Sequence, residues 1–360
     1  MEIIAQQQNI FDDNCEPLTK ISTVLDNMNY EPLLSVLAQE RGHGRNDYPN
    51  ETMLRCYLAF TIFKYPTMQA FIDELKRNPA LRMSCKLTIK VKANGSIQTA
   101  PSNQAFTRFE QRLGKHQELL NDIFNGLVTD IHQLKADFGQ NLALDGKLIE
   151  SYASRLSKSE APDGRGETDA NYTLKQYTGT KPTGEIVVKT ITYFGFRLHL
   201  LVDTKYELPV LYRVTKASLN ESTVAKDLIQ HDFPEWLKRT IQTITADRGY
   251  DGRPLMEVIE KIRADQPVIP VIDIKNMWRD GEPTRQYRET DFVYNYAGAV
   301  FYLDENSQLI KAKYQGYHKQ TDSLRYQTPD HQHQIYIQRA EDPRIFNRLA
   351  RDSKKFKRIY

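Results

Sequence analysis

Two aspartates, each placed at the end of a strand-like run, are the residues of this sequence best suited to chemistry. Asp145 ends a run that begins at Asn141, and Asp247 ends a run that begins at Thr243. A carboxylate at the exit of a buried strand is poorly solvated and usually has a partner. If the two strands lie side by side, the pair could hold divalent cations and direct them at phosphate oxygens. Either residue could instead be a turn or helix-start aspartate, since Asp-Gly is a common turn pair.

Length and charge limit the kinds of protein that this chain can be. With 360 residues it exceeds what a single hydrophobic core usually supports, so we expect two or three domains. The net charge of +3 is unremarkable, but basic residues cluster near the end of the sequence. Between residues 343 and 360 the basic residues are Arg344, Arg348, Arg351, Lys354, Lys355, Lys357 and Arg358, against one acid. Such a cluster could bind a polyanion, or it could be a solvated helix face.

The cysteines and the hydropathy of the chain indicate its compartment. Cys15, Cys56 and Cys85 are odd in number and form no C-x-x-C pair. They fit neither a disulfide framework nor a zinc site, and they are typical of a reducing cytosol. Neither a signal peptide nor an apolar stretch long enough to span a bilayer is recognisable. We therefore expect a soluble cytoplasmic protein without a membrane partner.

Residues 1–135 are predicted to be mainly helical. Asn50 and Thr67 are candidate N-caps of amphipathic helices, Pro101-Ser102 is predicted to open another helix, and Asn94-Gly95 is a two-residue hairpin signal. Short capped helices separated by tight breaks are compatible with a helix-turn-helix DNA-binding module. Any small helical bundle would show the same pattern, so both interpretations stay open.

From residue 140 the pattern changes to strands that alternate with helices. Strands are predicted at 141–145, 189–202, 208–214, 240–246 and 267–272, and helices at 222–229 and 254–263. This order predicts a mixed sheet with flanking helices over residues 140–272. Residues 161–184 are rich in Gly, Thr, Asp and Lys without an apolar period, and are predicted to form a long exposed loop.

The last ninety residues follow a different pattern. Residues 273–340 are predicted to be a β-rich insertion, because strand-like runs occur there among unusually dense tyrosines. These tyrosines could stack on DNA bases, although a tyrosine-packed small core fits them better. A helix is predicted from Pro343 towards the basic end, with Ile345 and Leu349 facing inward.

Three further residues near the two aspartates have alternative interpretations. Asp251 is interpreted as the N-cap of the helix that follows it. His199 lies in a strand-like run and is interpreted as a half-buried histidine with satisfied hydrogen bonds. Arg248 could orient the neighbouring carboxylate or contact a phosphate, or it could be a plain surface arginine.

Three blocks of this sequence, in this order, resemble the DDE transposases of bacterial insertion sequences. They are Leu144-Asp-Gly, Phe194-Gly-Phe-Arg-Leu-His-Leu and Ala246-Asp-Arg-Gly-Tyr-Asp. Blocks that begin at Tyr48, Pro79 and Pro101 resemble the usual leader of that family. The resemblance implies an α/β fold class, with a ribonuclease H-like mixed sheet, a β-rich insertion and an all-helical N-terminal DNA-binding region. The implied divisions are 1–135 for DNA binding, 140–272 and 341–360 for the catalytic core, and 273–340 for the insertion.

The resemblance also implies a chemistry. Asp145 would bridge two Mg²⁺ (or Mn²⁺) ions about 3.5–4 Å apart, Asp247 would hold one of them, and a Glu on the last helix would hold the other. The enzyme would bind double-stranded DNA at the terminal inverted repeats as a homodimer, cleave there, and join the ends to target DNA. Candidate DNA contacts are Arg248, Lys354, Lys355, Lys357 and Arg358.

The third carboxylate is where this sequence departs from the family pattern. The family spacing is Tyr, two residues, Arg, three residues, Glu; Tyr360 matches the Tyr, and the sequence ends there. Glu289, Glu305 and Glu341 do not stand in that pattern. We therefore expect a truncated chain that binds DNA, cleaves it little or not at all, and ends in a frayed basic run at 354–358. Whether the chain is an enzyme by itself stays open: it could be a catalytically inactive DNA-binding transposase that occupies ends or inhibits transposition. Another ribonuclease H-like nuclease is a further alternative.

Overall fold

The structure is a computed structural model that describes residues 23–24, 26–41, 48–91, 95–153, 167–275, 283 and 285–360. Cys15, Asn94 and residues 161–166, on which parts of the predictions fall, lie outside these described residues. The chain divides into two compact units, residues 1–133 and residues 134–360.

The first unit is built from helices and one small hairpin. Its elements are α1 (Glu31–Arg41), α2 (Asn50–Ile62), α3 (Met68–Arg77), α4 (Pro79–Ser84), β1 (Lys90–Val91), β2 (Ile97–Gln98), α5 (Asn103–Leu113) and α6 (Gln117–Leu134, which runs one residue into the second unit). The core contains Phe71 and Phe106, whose rings pack edge to face with centroids 6.1 Å apart. Strands β1 and β2 pair antiparallel on either side of Gly95, as the hairpin signal predicts.

The predicted cap at Thr67 is confirmed, and a helix opens after Ser102 as predicted. The Thr67 hydroxyl accepts a hydrogen bond from the amide of Ala70 at 3.1 Å, and the Ser102 hydroxyl caps α5 in the same way. The prediction for Asn50 is wrong, because Pro49 occupies the N-cap position of α2 without a side-chain cap. The Asn50 side chain instead accepts a hydrogen bond from Arg112, which explains why it does not turn back onto its own helix.

The second unit contains a six-stranded mixed sheet with helices packed against it. Its strands are β3 (Asn141–Glu150), β4 (Asn171–Thr180), β5 (Ile186–Asp203), β6 (Pro209–Lys216), β7 (Thr243–Ala246) and β8 (Ile269–Ile272). Its helices are α7 (Glu221–His231), α8 (Glu235–Thr240) and α9 (Arg253–Glu260). The strand order is β4-β5-β3-β7-β8, with β6 also paired to β5. Strand β3 is antiparallel to β5 and parallel to β7, which is in turn parallel to β8. This mixed sheet, together with the helical first unit, confirms the predicted fold class.

The prediction of a long exposed loop over 161–184 is wrong for residues 171–180, which form strand β4. Residues 171–180 of β4 pair antiparallel with the outer half of β5, and Gly184, at φ +84°, closes the turn between the strands. Most side chains of β4 are exposed. A ribbon that is solvated on both faces needs no alternation of apolar and polar residues, so the period-two signal on which the prediction depended is absent.

The segment that follows residue 284 is rich in strands. Strands β9 (Arg285–Gln286), β10 (Phe292–Tyr294), β11 (Val300–Leu303) and β12 (Leu309–Lys311) form one antiparallel sheet. Strands β13 (Lys313–His318), β14 (Ser323–Gln327) and β15 (Gln334–Gln338) form another. Tyr287, Tyr294 and Tyr326 are buried in the core of this segment, as a tyrosine-packed core predicts.

Two predictions about the last residues are wrong. No helix starts at Pro343: residues 342–353 form turns, and the helix α10 covers Lys354–Ile359. Side chains of the turn segment are bound to distant groups, as described below, and these bonds replace those of a helix. The basic run 354–358 is not frayed, because it forms α10, whose Phe356 is buried against Val271 of β8 and Leu349.

Candidate active site

The sheet places Asp145 and Asp247 next to each other. In the parallel ladder between β3 and β7, Leu144 pairs with Ala246, and each aspartate is the residue that follows this pair. Asp145 continues β3, whereas Asp247 lies just beyond the end of β7. Neighbouring strands lie about 4.8 Å apart, and residues at the same level of a parallel pair point to the same side. Both aspartates are exposed to solvent. The two carboxylates therefore lie at the ends of neighbouring stretches of the sheet.

Local hydrogen bonds orient each of the two carboxylates. Oδ1 of Asp145 accepts a hydrogen bond from the amide of Gly146 at 2.7 Å. Oδ1 of Asp247 accepts one from the amide of Gly249 at 2.8 Å, and so caps the 3₁₀ turn Arg248–Tyr250. Each carboxylate is fixed through one oxygen, and its second oxygen can serve as a cation ligand.

Glu221, in the first turn of α7, is a third acidic residue close to this pair, and no sequence pattern had singled it out. Burial raises the pKa of Glu221, the ion pair with Arg197 opposes that shift, and the negative charges of Asp247 and Asp145 add to it. Oε1 of Glu221 lies 2.8 Å from Nη1 of Arg197. The position of Glu221 depends on how α7 packs on the sheet, which no local signal encodes.

Tyr250 completes the surroundings of the acidic residues. Its side chain is fully buried, and its hydroxyl has no hydrogen-bond partner among the described residues. Burial and the charges of Glu221, Asp145 and Asp247 raise the pKa of Tyr250, so the phenol is neutral at physiological pH. A neutral hydroxyl in this position can donate a hydrogen bond to a carboxylate, a phosphate oxygen or a bound water.

His199 is buried in β5 on the same side of the sheet as Arg197. Its Nε2 lies 2.9 Å from the hydroxyl of Thr215, whereas its Nδ1 has no partner among the described residues. Burial, with smaller contributions from Arg197 and Arg213, lowers the pKa of His199 to about 4. The prediction of a fully satisfied, half-buried histidine is thus correct for one ring nitrogen, and the ring is more deeply buried than predicted.

The prediction that Asp251 is an N-cap is wrong. Helix α9 has Gly252 as its N-cap, and the Asp251 carboxylate is buried elsewhere. It accepts hydrogen bonds from Nη2 of Arg344 at 2.6 Å and from the amide of Lys275 at 3.0 Å. A buried carboxylate needs a cationic or amide donor, and the arginine supplies a stronger one than a helix terminus would.

The predicted DNA-contact residues fall into separate environments. Nε of Arg248 donates to Oδ2 of Asp273 at 3.0 Å, and the arginine side chain is 37% exposed. The exposed residues of α10 are Lys354, Lys355, Lys357 and Arg358. The remaining basic residues near the end of the chain bind groups within the protein. Arg344 binds Asp251, Arg348 binds Tyr317, and Arg351 binds the carbonyls of Ile272 and Ile345. The cluster of seven basic residues therefore does not form one binding surface.

The donor set of the pair suits a hard divalent cation. Within the described parts of the chain, no group of three or more His, Cys, Asp and Glu side chains is arranged to hold a metal ion. Asp145 and Asp247 nevertheless offer carboxylate oxygens, the ligand type that Mg²⁺ and Mn²⁺ prefer. Glu341 lies in the β-rich segment and is paired with Arg288, Nε to Oε1 at 2.5 Å.

Comparison with known proteins identifies the family. A family model described as "Transposase DDE domain" matches residues 142–341, which is more than half of the chain. The chain belongs to this family. A second model, "Transposase domain (DUF772)", matches residues 5–112. Transposases of the DDE family generally use divalent metal ions.

One solved structure is similar over most of this DDE-family chain. It is the cryo-EM structure of the piggyBac transposase synaptic complex with hairpin DNA, at 10% sequence identity and a TM-score of 0.33. The match covers 86% of this chain and 60% of that one.

Within the described residues, no helix is both long and apolar enough to cross a membrane.

Proposed function

We propose that this chain is the DNA transposase of an insertion sequence. It binds the terminal inverted repeats of its element and catalyses metal-dependent strand cleavage and strand transfer in the bacterial cytoplasm. The alternative, a catalytically inactive chain that only occupies the ends, predicts DNA binding without nicking. The observation that supports this proposal is that Asp145 and Asp247 each directly follow the Leu144–Ala246 pair of two neighbouring parallel strands.

The acidic pair would hold Mg²⁺ or Mn²⁺ beside the phosphate to be attacked. When bound, such cations activate the attacking hydroxyl and stabilise the leaving oxygen of an in-line phosphoryl transfer. Asp145 and Asp247 would bind and orient the cation. The amides of Gly146 and Gly249 donate hydrogen bonds to these carboxylates and keep them in place. Arg248 brings a positive charge next to Asp247, where it can contact a phosphate oxygen.

Recognition of DNA is assigned to two regions. The helical unit of residues 1–133 matches a transposase domain model over residues 5–112, and we propose that it recognises the terminal repeats. The exposed lysines of α10 lie on a helix that packs on β8, the strand next to β7, so they can contact the backbone of DNA that enters the site. An insertion sequence has two ends, and we propose that a homodimer holds both.

Cleavage by matched variants tests this function. The full chain would be incubated with Mg²⁺ or Mn²⁺ and a duplex that carries DNA flanking its own coding region. We expect Asp145→Asn and Asp247→Asn each to lower nicking at least about 100-fold, because asparagine keeps the shape but removes the charge that binds the cation. Asp265→Asn is the control, since Asp265 is exposed and pairs with Arg263 away from the site.

DNA binding separates loss of chemistry from loss of folding. Both variants at the site should retain gel-shift binding to the same duplex, with affinity that falls steeply as salt increases. Nicking that persists unchanged in both Asp145→Asn and Asp247→Asn would refute the assigned site. Absence of end-specific binding by the wild-type chain would refute the assigned substrate.

A further inference from the structure

We propose that helix α5 reads base pairs in the major groove of DNA. Its reading face consists of four exposed side chains: Gln104, Thr107, Arg108 and Gln111. The inference rests on the proposed recognition of DNA ends by residues 1–133. It deepens that proposal by naming the helix and the side chains that distinguish one DNA sequence from another.

The opposite side of α5 fixes the helix in the first unit. Phe106, Phe109 and Leu113 are buried in the core of this unit. Near the end of the helix, Arg112 donates a hydrogen bond to the carbonyl oxygen of Leu37 in α1. At about 100° of rotation per residue, the reading face lies opposite the buried residues. Side chains that distinguish bases need such a fixed support, because a misplaced donor loses its hydrogen bond.

The side chains of the reading face are of the types that recognise base edges. Arginine binds O6 and N7 of guanine with a pair of hydrogen bonds, and glutamine binds N6 and N7 of adenine in the same way. Threonine can contact the methyl group of thymine. Gln104 and Gln111 are separated by about 10 Å along the helix axis, so the reading face spans about three base pairs. The major groove is about 12 Å wide and admits one α-helix.

A helix that only faces solvent often carries ion pairs between neighbouring turns, and α3 shows this pattern. Nζ of Lys76 lies 2.8 Å from Oδ1 of Asp73, and Nη2 of Arg77 lies 2.9 Å from Oε2 of Glu74. The reading face of α5 contains no acidic residue. Glu110, the one acid of α5, points about 110° away from the middle of that face. The reading face therefore differs from that of α3, because no charge on it repels a polyanion.

The charge of the surrounding sequence also favours a polyanionic partner. Residues 75–109 contain no Asp or Glu, although these two types make up 46 of the 360 residues of the chain. The same stretch contains the basic residues Lys76, Arg77, Arg82, Lys86, Lys90, Lys92 and Arg108. Lys76, Arg77 and Lys86 are paired with acidic side chains of the first unit. An excess of positive charge attracts the phosphate backbone of DNA whatever its sequence.

Lys90 of the β1–β2 hairpin brings one of these charges near the start of α5. Its Nζ lies 4.4 Å from the centroid of the Tyr48 ring. The hydroxyl of Tyr48 donates a hydrogen bond at 3.2 Å to the carbonyl oxygen of Ala100, two residues before Ser102, the N-cap of α5. Contacts to phosphates fix the position of a protein on DNA, and contacts to base edges give specificity. Lys90 has the first role, and the reading face has the second.

The experiment measures the affinity of the full chain for two duplexes of equal length and composition. One carries DNA that flanks the chain's own coding region, and the other carries the same bases in scrambled order. The preference is the ratio of the two dissociation constants. We expect Arg108→Ala to lower it about 5–100-fold, because a bidentate base contact discriminates by about that factor. Gln104→Ala should lower it for the same reason.

Arg108→Lys separates base reading from charge. Lysine keeps the positive charge but not the planar fork of donors, so this variant should lose preference while it keeps its affinity for the scrambled duplex. Lys90→Gln should weaken binding to both duplexes equally, and should reduce the slope of log affinity against log salt by about 1.

Arg77→Ala and Gln69→Ala are the matched controls, because they remove the same types of side chain from exposed positions of α3. Both should keep the wild-type preference. Alanine favours helix, so the variants of α5 should also keep the wild-type melting temperature measured by circular dichroism.

The outcomes separate this inference from the proposed function. If the wild-type chain prefers its own flanking DNA and Arg108→Ala and Gln104→Ala keep that preference, recognition of the ends stands and the role of α5 is overturned. An equal loss of preference in Arg77→Ala would also overturn it, because charge alone would then account for the effect. So would a changed sedimentation coefficient of the free α5 variants with unchanged preference, since the face would then contact a second copy of the chain. If the wild-type chain shows no preference, the proposed recognition of ends falls, and this inference with it.

Discussion

Removal of the Asp251 carboxylate should destabilise the second unit strongly. The side chain of Asp251 is completely buried, and it accepts two hydrogen bonds from Arg344, at 2.6 and 3.2 Å. Nη2 of Arg351 lies 3.8 Å from the same carboxylate, and burial lowers the pKa of Arg351 to about 10. Asp251→Ala would leave both guanidinium groups without their carboxylate.

The magnitude follows from the asymmetry of buried ion pairs. Removing one partner of a buried pair costs about 3–5 kcal/mol, because the remaining charge is still desolvated. Arg351 is only 4% exposed and cannot turn into solvent, whereas Arg344 is 22% exposed and can recover part of its hydration. We therefore expect a loss of about 3–4 kcal/mol, which is a large part of the total stability of a domain.

Urea unfolding followed by tryptophan fluorescence measures this loss of unfolding free energy in the second unit of the chain. Both tryptophans of the chain, Trp236 and Trp278, belong to residues 134–360. Asp265→Ala is the control: it removes an exposed partner of Arg263 and should cost less than about 1 kcal/mol. If Asp251→Ala also costs less than about 1 kcal/mol, the assignment of Asp251 as a buried structural anion is refuted.

Two further changes test the packing around the site. His199 has a folded-state pKa of about 4 against the ordinary 6.5, so between these values the unfolded chain binds the extra proton. The unfolding free energy should therefore fall by up to about 3 kcal/mol as the pH is lowered from 6.5 to 4, and this slope should disappear in His199→Gln; an unchanged slope would contradict the assignment. Gly195 has φ +150°, and a Cβ there would stand 2.2 Å from the carbonyl oxygen of Ile149. Gly195→Ala should lower the free energy of urea unfolding by at least about 3 kcal/mol. The control Gly179→Ala, whose added Cβ meets open space in β4, should change it by less than about 0.5 kcal/mol. Equal effects of the two substitutions would refute the close approach of β3 to β5.

Local sequence patterns predicted the two strands that position the acidic pair, and the reason is physical. Apolar residues alternate along the stretch before each aspartate, Leu142 and Leu144 before Asp145 and Ile244 and Ala246 before Asp247, and all four are buried. The caps at Thr67 and Ser102 were equally local, since each hydroxyl binds an amide three residues away.

The features that the sequence did not predict depend on distant partners. Arg344 binds Asp251, ninety-three residues earlier in the chain, and this contact replaces the helix expected from Pro343. Glu221 approaches the pair only because α7 packs across β5 and because Gly146 leaves room for it. Strand β4 was missed because its exposed faces carry no alternation. The alternation of apolar and polar residues along the sequence reflects which side chains are buried. Predictions from it therefore fail where a strand or helix is exposed to solvent, or where a residue binds a partner far away in the sequence.

The most direct test of the acidic pair is cleavage of the protein by its own bound metal. Fe²⁺ would be substituted for Mg²⁺ in the full chain, and hydrogen peroxide and ascorbate would then produce radicals that cut the backbone near the ion. We predict cuts close to both Asp145 and Asp247, because these residues hold the same site on neighbouring strands. The cuts should be suppressed by excess Mg²⁺ and lost in Asp145→Asn. Cuts at only one of the two aspartates, or cuts elsewhere that excess Mg²⁺ does not suppress, would contradict the shared site.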